Sequence, residues 1–464
     1  MINQSTICAV STPSGTGGIA VIRVSGTDAI AITDWVFSAY GKVKTISEAK
    51  ANTLIVGQIK REFEVIDEVV VSLFRKPHSY TGEDIVEISC HGSIYIQQLI
   101  LQLLIEKGAR LALPGEFTQR AFLNGKMDLS QAEAVADLIA STTSAAHKTA
   151  LKQMRGGFSA EIRNLREQLL KFSALIELEL DFSEEDVEFA DRGQLLKLVN
   201  QIEALIKKLV DSFRLGNAIK NGIPVAIIGE TNVGKSTLLN ALLNEEKAIV
   251  SEIHGTTRDV IEDVVNIHGT AFRFFDTAGI RETDDAIETM GIERSYDKLR
   301  KAEIVLLVVD LTNPVTVVTG RIANIRSHIS AQHLIIVANK MDYANEETET
   351  TLKKIKLKPN EDLVFISAKS RNNLEVLIDR MRETLSLDKV GSEDVIVTNM
   401  RHFEALTHAH KAVLRVATGL SSQISGDLLS QDIRECLHYL GSIIGEVTED
   451  EVLGYIFKHF CIGK

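Results

Sequence analysis

One short stretch constrains the fold more than any other, and it reads GETNVGKST from Gly229 to Thr237. It fits the pattern G-x-x-x-x-G-K-[S/T] of a phosphate-binding P-loop. An apolar run typical of a strand, residues 224–228, precedes it, and a helical pattern, residues 238–243, follows it. The sequence therefore predicts a strand, a glycine-rich loop and a helix whose N-terminus binds phosphate.

The residue types in this loop explain why the spacing suits a nucleotide. Glycines at both ends let backbone N–H groups turn towards phosphate oxygens. Lys235 reaches the β- and γ-phosphates, and the Ser236 hydroxyl is a ligand for Mg²⁺. The predicted nucleotide-binding residues of the loop are Asn232, Val233, Gly234, Lys235, Ser236 and Thr237.

Further motifs follow in an order and spacing typical of GTPases. Asp276 closes a predicted strand near Mg²⁺, and Thr257 supplies a second hydroxyl to the ion. The Asp342 carboxylate can accept two hydrogens from guanine, a pair that adenine lacks, so GTP is predicted rather than ATP. The predicted nucleotide contacts in these segments are Ser251, Glu252, Ile253, His254, Gly255, Thr256, Thr257, Asp276, Thr277, Ala278, Gly279, Asn339, Lys340, Asp342, Ser367, Ala368 and Lys369.

One position departs from the pattern of small GTPases. Ile280 stands where that pattern has a glutamine that orients the attacking water, and its side chain cannot hydrogen-bond water. No arginine finger in cis is evident, although Arg258 and Arg281 lie in the switch stretches. A domain that binds GTP without hydrolysing it therefore remains an alternative. The acids that could orient water are Glu282, Asp284, Asp285 and Glu288.

Hydrophobic periodicity divides the chain into regions of different type. The pattern in residues 1 to about 124 predicts mixed α/β structure. Strands are predicted at 20–24, 68–74 and 84–88, and a helix at 94–105. Helical patterns occupy about 127–217 and return after about 385, on either side of the nucleotide-binding region. That arrangement suits one helical domain with the nucleotide domain inserted, or two separate helical domains. A capping box is predicted at Ser130-x-x-Glu133.

Composition narrows the possible partners and compartment. The 464 residues carry a net charge of −12, so the chain as a whole is not a basic nucleic-acid coat. Four cysteines without C-x-x-C spacing argue against a zinc site and against a disulfide framework. No apolar run reaches membrane-spanning length and no signal pattern opens the sequence, so a cytoplasmic protein without membrane contact is expected.

Across its full length the chain resembles the MnmE (TrmE) family of tRNA-modification GTPases, within the TrmE-Era-EngA-YihA-Septin-like P-loop GTPases. The segments that carry the resemblance are 80–84 (YTGED), 114–117 (PGEF), 120–124 (RAFLN), 255–259 (GTTRD) and 460–464 (FCIGK). The resemblance implies a multidomain fold, α/β plus all-α. Its parts are an N-terminal α+β tetrahydrofolate-binding and dimerisation domain (1–124), a helical domain (125–218 and 383–464) and an inserted Ras-like G domain (219–382).

The resemblance also implies a cofactor, partners and a reaction. The N-terminal domain is similar to folate-binding aminomethyltransferase domains and would hold formyl-tetrahydrofolate in a homodimer, with Cys461 close to the folate. With MnmG, an FAD-dependent partner, the family forms a heterotetramer or larger complex. That complex adds an aminomethyl or carboxymethylaminomethyl group to C5 of the wobble uridine of certain tRNAs. The implied folate-binding residues are Arg23, Glu87, Lys126 and Lys464.

Potassium activation is a further implication of the resemblance. K⁺ would take the place of an arginine finger, the G domains would dimerise on GTP, and Glu288 would orient the attacking water. The implied K⁺ ligands are Asn232, Ser251, Ile253 and Thr256.

Two other readings of the sequence stay open. One is a regulatory or ribosome-assembly GTPase without a modification role, which predicts a basic RNA-binding appendage. The other is a stand-alone folate-dependent methyltransferase whose G domain is ornamental. The acidic net charge speaks against the first, and intact Lys235, Ser236 and Asp276 speak against the second.

Overall fold

The structure is a computed structural model, and it divides into two compact units that are described separately. Unit 1 comprises Met1–Ile139, Leu151–Ala190 and Ile424–Lys464, and unit 2 comprises Ala140–Ala150 and Asp191–Gln423. The residues that the structure describes are 5–41, 45–181, 192–244, 262–275, 299, 302–329, 331–384, 395–422, 424, 426–447, 453, 456–458, 460 and 463.

A seven-stranded sheet forms the centre of unit 1, in the order β3-β4-β5-β6-β2-β1-β7. Neighbouring strands are antiparallel except for the parallel pair β1 and β7. The predicted strands at 20–24, 68–74 and 84–88 are all present. The strands are β1 (Ile7–Val10), β2 (Gly17–Ser25), β3 (Phe37–Ala39), β4 (Thr53–Arg61), β5 (Glu64–Phe74), β6 (Ile85–Gly92) and β7 (Arg110–Leu111).

Two helices pack against this sheet, α1 (Ala29–Val36) and α2 (Ile94–Glu106). Alternate strand residues such as Ile22, Val71 and Ile88 are fully buried in the core that these helices cover. Because successive strand residues point to opposite sides, the residues next to these in sequence lie on the other face of the sheet. Arg23 and Glu87 therefore lie on the face that α1 and α2 do not cover.

The helical part of unit 1 contains α3 (Glu116–Leu123), α4 (Leu129–Ala140), α6 (Gly157–Asp181) and α13 (Gly426–Ile444). A further helix, α5 (Ser144–Met154), contributes residues to both units. Helix α6 packs against α13 through apolar side chains spaced by three or four, including the fully buried Leu165 and Phe172.

The predicted capping box is wrong by two residues. The Asp128 carboxylate accepts the backbone N–H of Gln131 at 3.0 Å, and the Gln131 side chain accepts the backbone N–H of Asp128 at 3.0 Å. Ser130 and Glu133 instead lie within α4, on its buried side. Asp128 also accepts hydrogen bonds from Ser159 and Arg163 on α6, which is why an acid rather than a serine occupies the cap.

A six-stranded sheet forms the centre of unit 2, in the order β13-β12-β11-β8-β10-β9. All neighbours are parallel except β9 and β10, so the predicted mostly parallel sheet is confirmed. Sequence reasoning missed the antiparallel strand β9. The strands are β8 (Ile223–Ile228), β9 (Glu262–Ile267), β10 (Thr270–Phe275), β11 (Ile304–Asp310), β12 (His333–Asn339) and β13 (Glu361–Phe365).

Buried cores on both faces identify this sheet as the centre of an α/β domain. Its helices are α8 (Lys235–Asn244), α9 (Val315–His328), α10 (Glu346–Lys353) and α11 (Leu374–Glu383). Short 3₁₀ helices occur at Ile46–Glu48 in unit 1 and at Met341–Tyr343 in unit 2.

Two long helices complete unit 2, α7 (Arg192–Asn221) and α12 (Met400–Ser421), and they pack against each other. Gly216 on α7 allows this approach, because a side chain there would collide with the backbone at Val397, just before α12. In both units a helix that precedes the six-stranded sheet in sequence therefore packs against one that follows it. This pairing favours one helical region with an inserted α/β domain over two independent helical domains. Within the described part of the chain, none of the helices combines the length and the apolar character needed to cross a bilayer.

Candidate functional site

The P-loop connects β8 to α8 through a tightly turned backbone. Gly229 has a φ of +154° and lies against the Val308 carbonyl, so any side chain there would overlap β11. Gly234 has a φ of +100°, and Asn232 takes the left-handed conformation with a φ of +62°. These angles suit glycine and asparagine, and a loop that turns in this way can direct its N–H groups at an anion.

Lys235 begins α8 and reaches back over the loop. Its ammonium donates hydrogen bonds to the carbonyl oxygens of Gly229 at 2.6 Å and Glu230 at 2.8 Å. Burial lowers the pKa of Lys235, and the nearby Glu230 carboxylate opposes that change. The ammonium is thus held in the loop, where it can neutralise phosphate charge.

A buried asparagine joins the P-loop to two other predicted motifs. The side-chain amide of Asn339, which is 3% exposed, donates to the Val233 carbonyl at 2.8 Å. Its oxygen accepts the backbone N–H of Ala368 at 2.9 Å. One side chain therefore fixes the phosphate loop, the end of β12 and the loop after β13 in a single arrangement.

Lys340 follows with a left-handed backbone, at a φ of +63°, and its ammonium contacts the Asp310 carboxylate at 2.6 Å. Burial raises the pKa of Asp310, but hydrogen bonds from Lys340 and Thr312 outweigh it and hold that pKa below its usual value. Sequence reasoning missed Asp310. Its position at the carboxyl end of a buried strand, where sites of α/β sheets lie, was the available signal.

The predicted guanine contacts lie next to this network. Asp342 is exposed in the short helix after Lys340, and Ser367 and Ala368 are buried at the end of β13. The Ser367 N–H donates to the Asn372 carbonyl at 3.1 Å, which turns the loop back on itself. Lys369 is exposed beside them. The structure thus brings the described residues of both motifs together, while their contacts with guanine stay predictions.

The hydroxyl groups of Ser236 and Thr237 are exposed in the first turn of α8. A hydroxyl oxygen is a suitable ligand for a hard cation, so Ser236 fits its predicted role towards Mg²⁺. Asn232 is exposed at the start of the same loop. The other predicted members of the site lie outside the described residues, namely Ser251, Glu252, Ile253, His254, Gly255, Thr256, Thr257, Asp276, Thr277, Ala278, Gly279 and Glu288.

In unit 1, Arg23 and Glu87 stand directly opposite each other on β2 and β6. The guanidinium contacts the carboxylate twice, from Nε at 2.9 Å and from Nη2 at 2.8 Å. The Arg23 guanidinium also lies 5.2 Å from the centre of the Tyr80 ring and 5.6 Å from that of Phe117. This cluster presents a cation, an acid and an aromatic ring on the face of the sheet that α1 and α2 leave uncovered.

Lys126 does not contact the Arg23–Glu87 pair. Its ammonium donates to the Pro77 carbonyl at 3.0 Å, and its side chain lies beside Gly82, so it contacts the loop that carries Tyr80. Gly463 reaches the same domain, because its carbonyl accepts a hydrogen bond from the Ser11 hydroxyl at 3.2 Å. Lys464 and Cys461 lie outside the described residues.

Sequence reasoning missed the buried network that supports this region. Glu116 and Arg120, each 2% exposed, form an ion pair at 3.0 Å, and Arg120 also binds Glu83 and the Ser5 carbonyl. Burial raises the pKa of Glu116, but hydrogen bonds from Arg110, the Leu113 backbone and Arg120 outweigh it and lower that pKa. The motif segments 80–84 and 114–124 are therefore held together by the ion pair between Arg120 and Glu83.

Comparison with known proteins identifies the family to which the chain belongs. The model of the GTP-binding protein TrmE N-terminus matches residues 6–126, and the model of the MnmE helical domain matches residues 129–461. The tRNA modification GTPase MnmE of Bacteroides fragilis is 58% identical over the full length of both chains. The chain belongs to the MnmE family. The protein of the same name from Flavobacterium johnsoniae is 52% identical, again over the full length of both chains.

Membership of the MnmE family and the P-loop domain together confirm the predicted GTPase. Among solved structures, Era from Aquifex aeolicus bound to GDP and AlF₄⁻ is 29% identical to this chain. The match covers 40% of this chain and 65% of that chain, with a TM-score of 0.26. Era in complex with MgGDPNP and part of 16S ribosomal RNA shares 31% identity over the same fractions, with a TM-score of 0.27.

The exposed Asp342 of this MnmE-family chain gives a prediction about base specificity. Asp342→Asn replaces an acceptor by a donor that would face the guanine N1 and N2 hydrogens in the predicted contact, and a mismatch of this kind costs about 1–3 kcal/mol. We expect at least a tenfold loss of GTP affinity and a new preference for xanthosine triphosphate, measured by fluorescent-nucleotide titration. The matched control is Asp362→Asn on β13, where affinity should not change. Equal GTP binding by Asp342→Asn and wild type would remove Asp342 from base recognition.

Proposed function

We propose that this chain hydrolyses GTP to drive modification of C5 of the wobble uridine of certain tRNAs, together with the FAD-dependent protein MnmG. The observation that carries the proposal is the 58% full-length identity to a tRNA modification GTPase in a chain whose P-loop is intact. The product would be an aminomethyl or carboxymethylaminomethyl group. The complex would be a heterotetramer or larger, in the cytoplasm, with GTP as substrate and Mg²⁺ bound at Ser236 and Thr257.

The proposed domains are the N-terminal domain (1–124), the helical domain (125–218 and 383–464) and the inserted G domain (219–382). Helix pairing within each compact unit supports this division, since α6 packs against α13 and α7 packs against α12.

Nucleoside analysis of tRNA from cells that lack this protein tests the function. We expect the C5 substituent to disappear from the affected wobble uridines. The wild-type gene should restore it, whereas Lys235→Ala should not, because the phosphate charge is then unopposed. An unchanged nucleoside profile combined with a ribosome-assembly defect would instead favour the alternative of a regulatory GTPase.

A formyl-tetrahydrofolate site in the N-terminal domain is the second part of the proposal. Glu87 suits the hydrogen-bond donors of a pterin-like ring, and the cations of the set suit the folate glutamate tail. Lys126 contacts the loop that carries Tyr80, and Gly463 lies against Ser11 one residue beyond β1. Because Ala9 pairs with Arg23 across β1 and β2, the segment ending at Gly463 lies within a few residues of the cluster. Both observations support a pocket built from Arg23, Glu87, Lys126 and Lys464.

Calorimetric titration with formyl-tetrahydrofolate tests this pocket. We expect binding by the wild-type protein and at least tenfold weaker binding by Arg23→Ala, which removes a charged partner. The matched control is Arg61→Ala, because Arg61 also forms an ion pair with a glutamate of the same domain but lies on β4 away from Tyr80. Absence of binding at millimolar ligand would reject the pocket.

Exposed apolar side chains on the face of the unit 1 sheet opposite α1 and α2 support the proposed homodimer. Leu54 and Val56 alternate along β4 and are 72% and 56% exposed, and Ile19 on β2 is 70% exposed. Apolar side chains exposed on one sheet face are typical of a surface that a partner covers. A second copy of the chain would bury them.

Potassium is proposed to complete the catalytic site of the G domain. Ile280 cannot orient water, and no arginine finger is evident, so water positioning and charge neutralisation both need other groups. Asn232 presents a side chain from an exposed position in the P-loop, and oxygens of Ser251, Ile253 and Thr256 would complete the set of ligands. Glu288 would orient the water. Ordering of residues 251–256 against a second G domain would make turnover rise with protein concentration.

GTP turnover in KCl and in NaCl at fixed ionic strength tests the ion. We expect K⁺ but not Na⁺ to accelerate wild-type hydrolysis, and Asn232→Gly to lose that acceleration with nucleotide affinity nearly unchanged. Glycine is the cleaner substitution because Asn232 has a left-handed backbone. Glu288→Ala should lower kcat by roughly 10²–10⁴ without loss of binding. Equal wild-type rates in both salts would remove the potassium role.

A further inference from the structure

An ion pair connects the P-loop to a helix that no nucleotide motif includes. Arg321 lies on α9, and its Nε donates to the Glu230 carboxylate at 2.6 Å. Glu230 occupies the second position of the P-loop pattern, where any residue is permitted. The pair is partly exposed, with 54% of the Arg321 side chain and 31% of the Glu230 side chain accessible.

Glu230 lies close enough to the phosphate-binding lysine to affect it. The Lys235 ammonium donates to the Glu230 carbonyl at 2.8 Å, and the negative charge of the Glu230 carboxylate acts on the same ammonium. An acid in this loop is unfavourable for a phosphate site, because it repels the anion and competes with it for Lys235. Nucleotide binding is therefore stronger when another group neutralises the Glu230 carboxylate.

A cavity separates the loop from the helix beneath this ion pair. It has a volume of about 210 Å³, and its lining includes Val233 of the P-loop, Val308 of β11 and Val318 of α9. Side chains that meet across a cavity do not fix each other by packing. The Glu230–Arg321 contact spans the gap with a directional, charge-assisted hydrogen bond, and so sets where the Glu230 carboxylate points.

We propose that Arg321 is a positioning residue for nucleotide binding, which holds the Glu230 carboxylate on the α9 side of the P-loop and neutralises its charge. Lys235 then remains available to the phosphates. The inference deepens the GTPase function and rests on nucleotide binding at the P-loop.

An electrostatic role predicts an effect that grows with ligand charge. In Arg321→Ala the unpaired Glu230 repels each phosphate group and attracts Lys235, so affinity for GTP should fall about three- to tenfold. The loss should be smaller for GDP and near zero for GMP, which carries the fewest charges. It should also shrink at high salt, since the pair is partly exposed. A purely structural role of Arg321 would weaken the binding of all three nucleotides by the same factor.

We would measure the affinities of the full-length protein by titration with fluorescent GTP and GDP. The affinity for GMP follows from competition. The double variant Glu230→Gln with Arg321→Ala should return GTP affinity to within about twofold of wild type, because the repelling charge is gone. Arg380→Ala is the matched control, since Arg380 on α11 also pairs with a glutamate and is about half exposed, and it should leave affinity unchanged.

Three results would overturn the proposal: unchanged GTP affinity in Arg321→Ala, equal losses for GTP, GDP and GMP, or no recovery in the double variant. A wild-type protein that binds no GTP would instead refute the GTPase function itself. The two failures are thus distinguishable within one set of titrations.

Discussion

The G domain depends on one buried side chain, Asn339. Its amide reaches the Val233 carbonyl of the P-loop, and its oxygen holds the Ala368 N–H of the loop after β13. Each partner would be a buried, unsatisfied backbone group without it, and such groups cost about 1–3 kcal/mol. The segments that carry the predicted phosphate contacts and the predicted base contacts are therefore joined by one side chain. The neighbouring pair of Lys340 and Asp310 extends the same arrangement into β11.

Local patterns were sufficient to predict most of the sheet in unit 2. Buried parallel strands read as continuous apolar runs, and motifs at their carboxyl ends meet at one edge of the sheet. The antiparallel strand β9 was not predicted, because its sequence, EDVVNI, is half polar. Its pairing with β10 is set by the turn at His268 and Gly269. The role of Asp310 was not predicted, because its partner, Lys340, lies 30 residues away in the sequence.

The same distinction explains unit 1. Apolar patterns predicted the middle of β2, the C-terminal part of β5 and the first part of β6. The capping box was misplaced because Asp128 is held by Ser159 and Arg163 on another helix. The buried pair of Glu116 and Arg120 was not predicted either, since sequence spacing does not reveal that Glu83 and Ser5 complete it. Long-range polar contacts thus carry the information that periodicity lacks. They also hold the two motif segments beside Arg23.

The contact between Ser11 and Gly463 has a consequence for the order of events during synthesis. These residues are 452 positions apart, and Gly463 lies so close to the Val10 carbonyl that only a residue without a side chain fits. The first strands can pair early, yet this contact cannot form until Gly463 emerges, on the order of a minute later at typical rates of translation. Truncated chains would therefore contain a folded but incomplete N-terminal domain. A domain edge completed in this way forms only in chains that extend at least to Gly463.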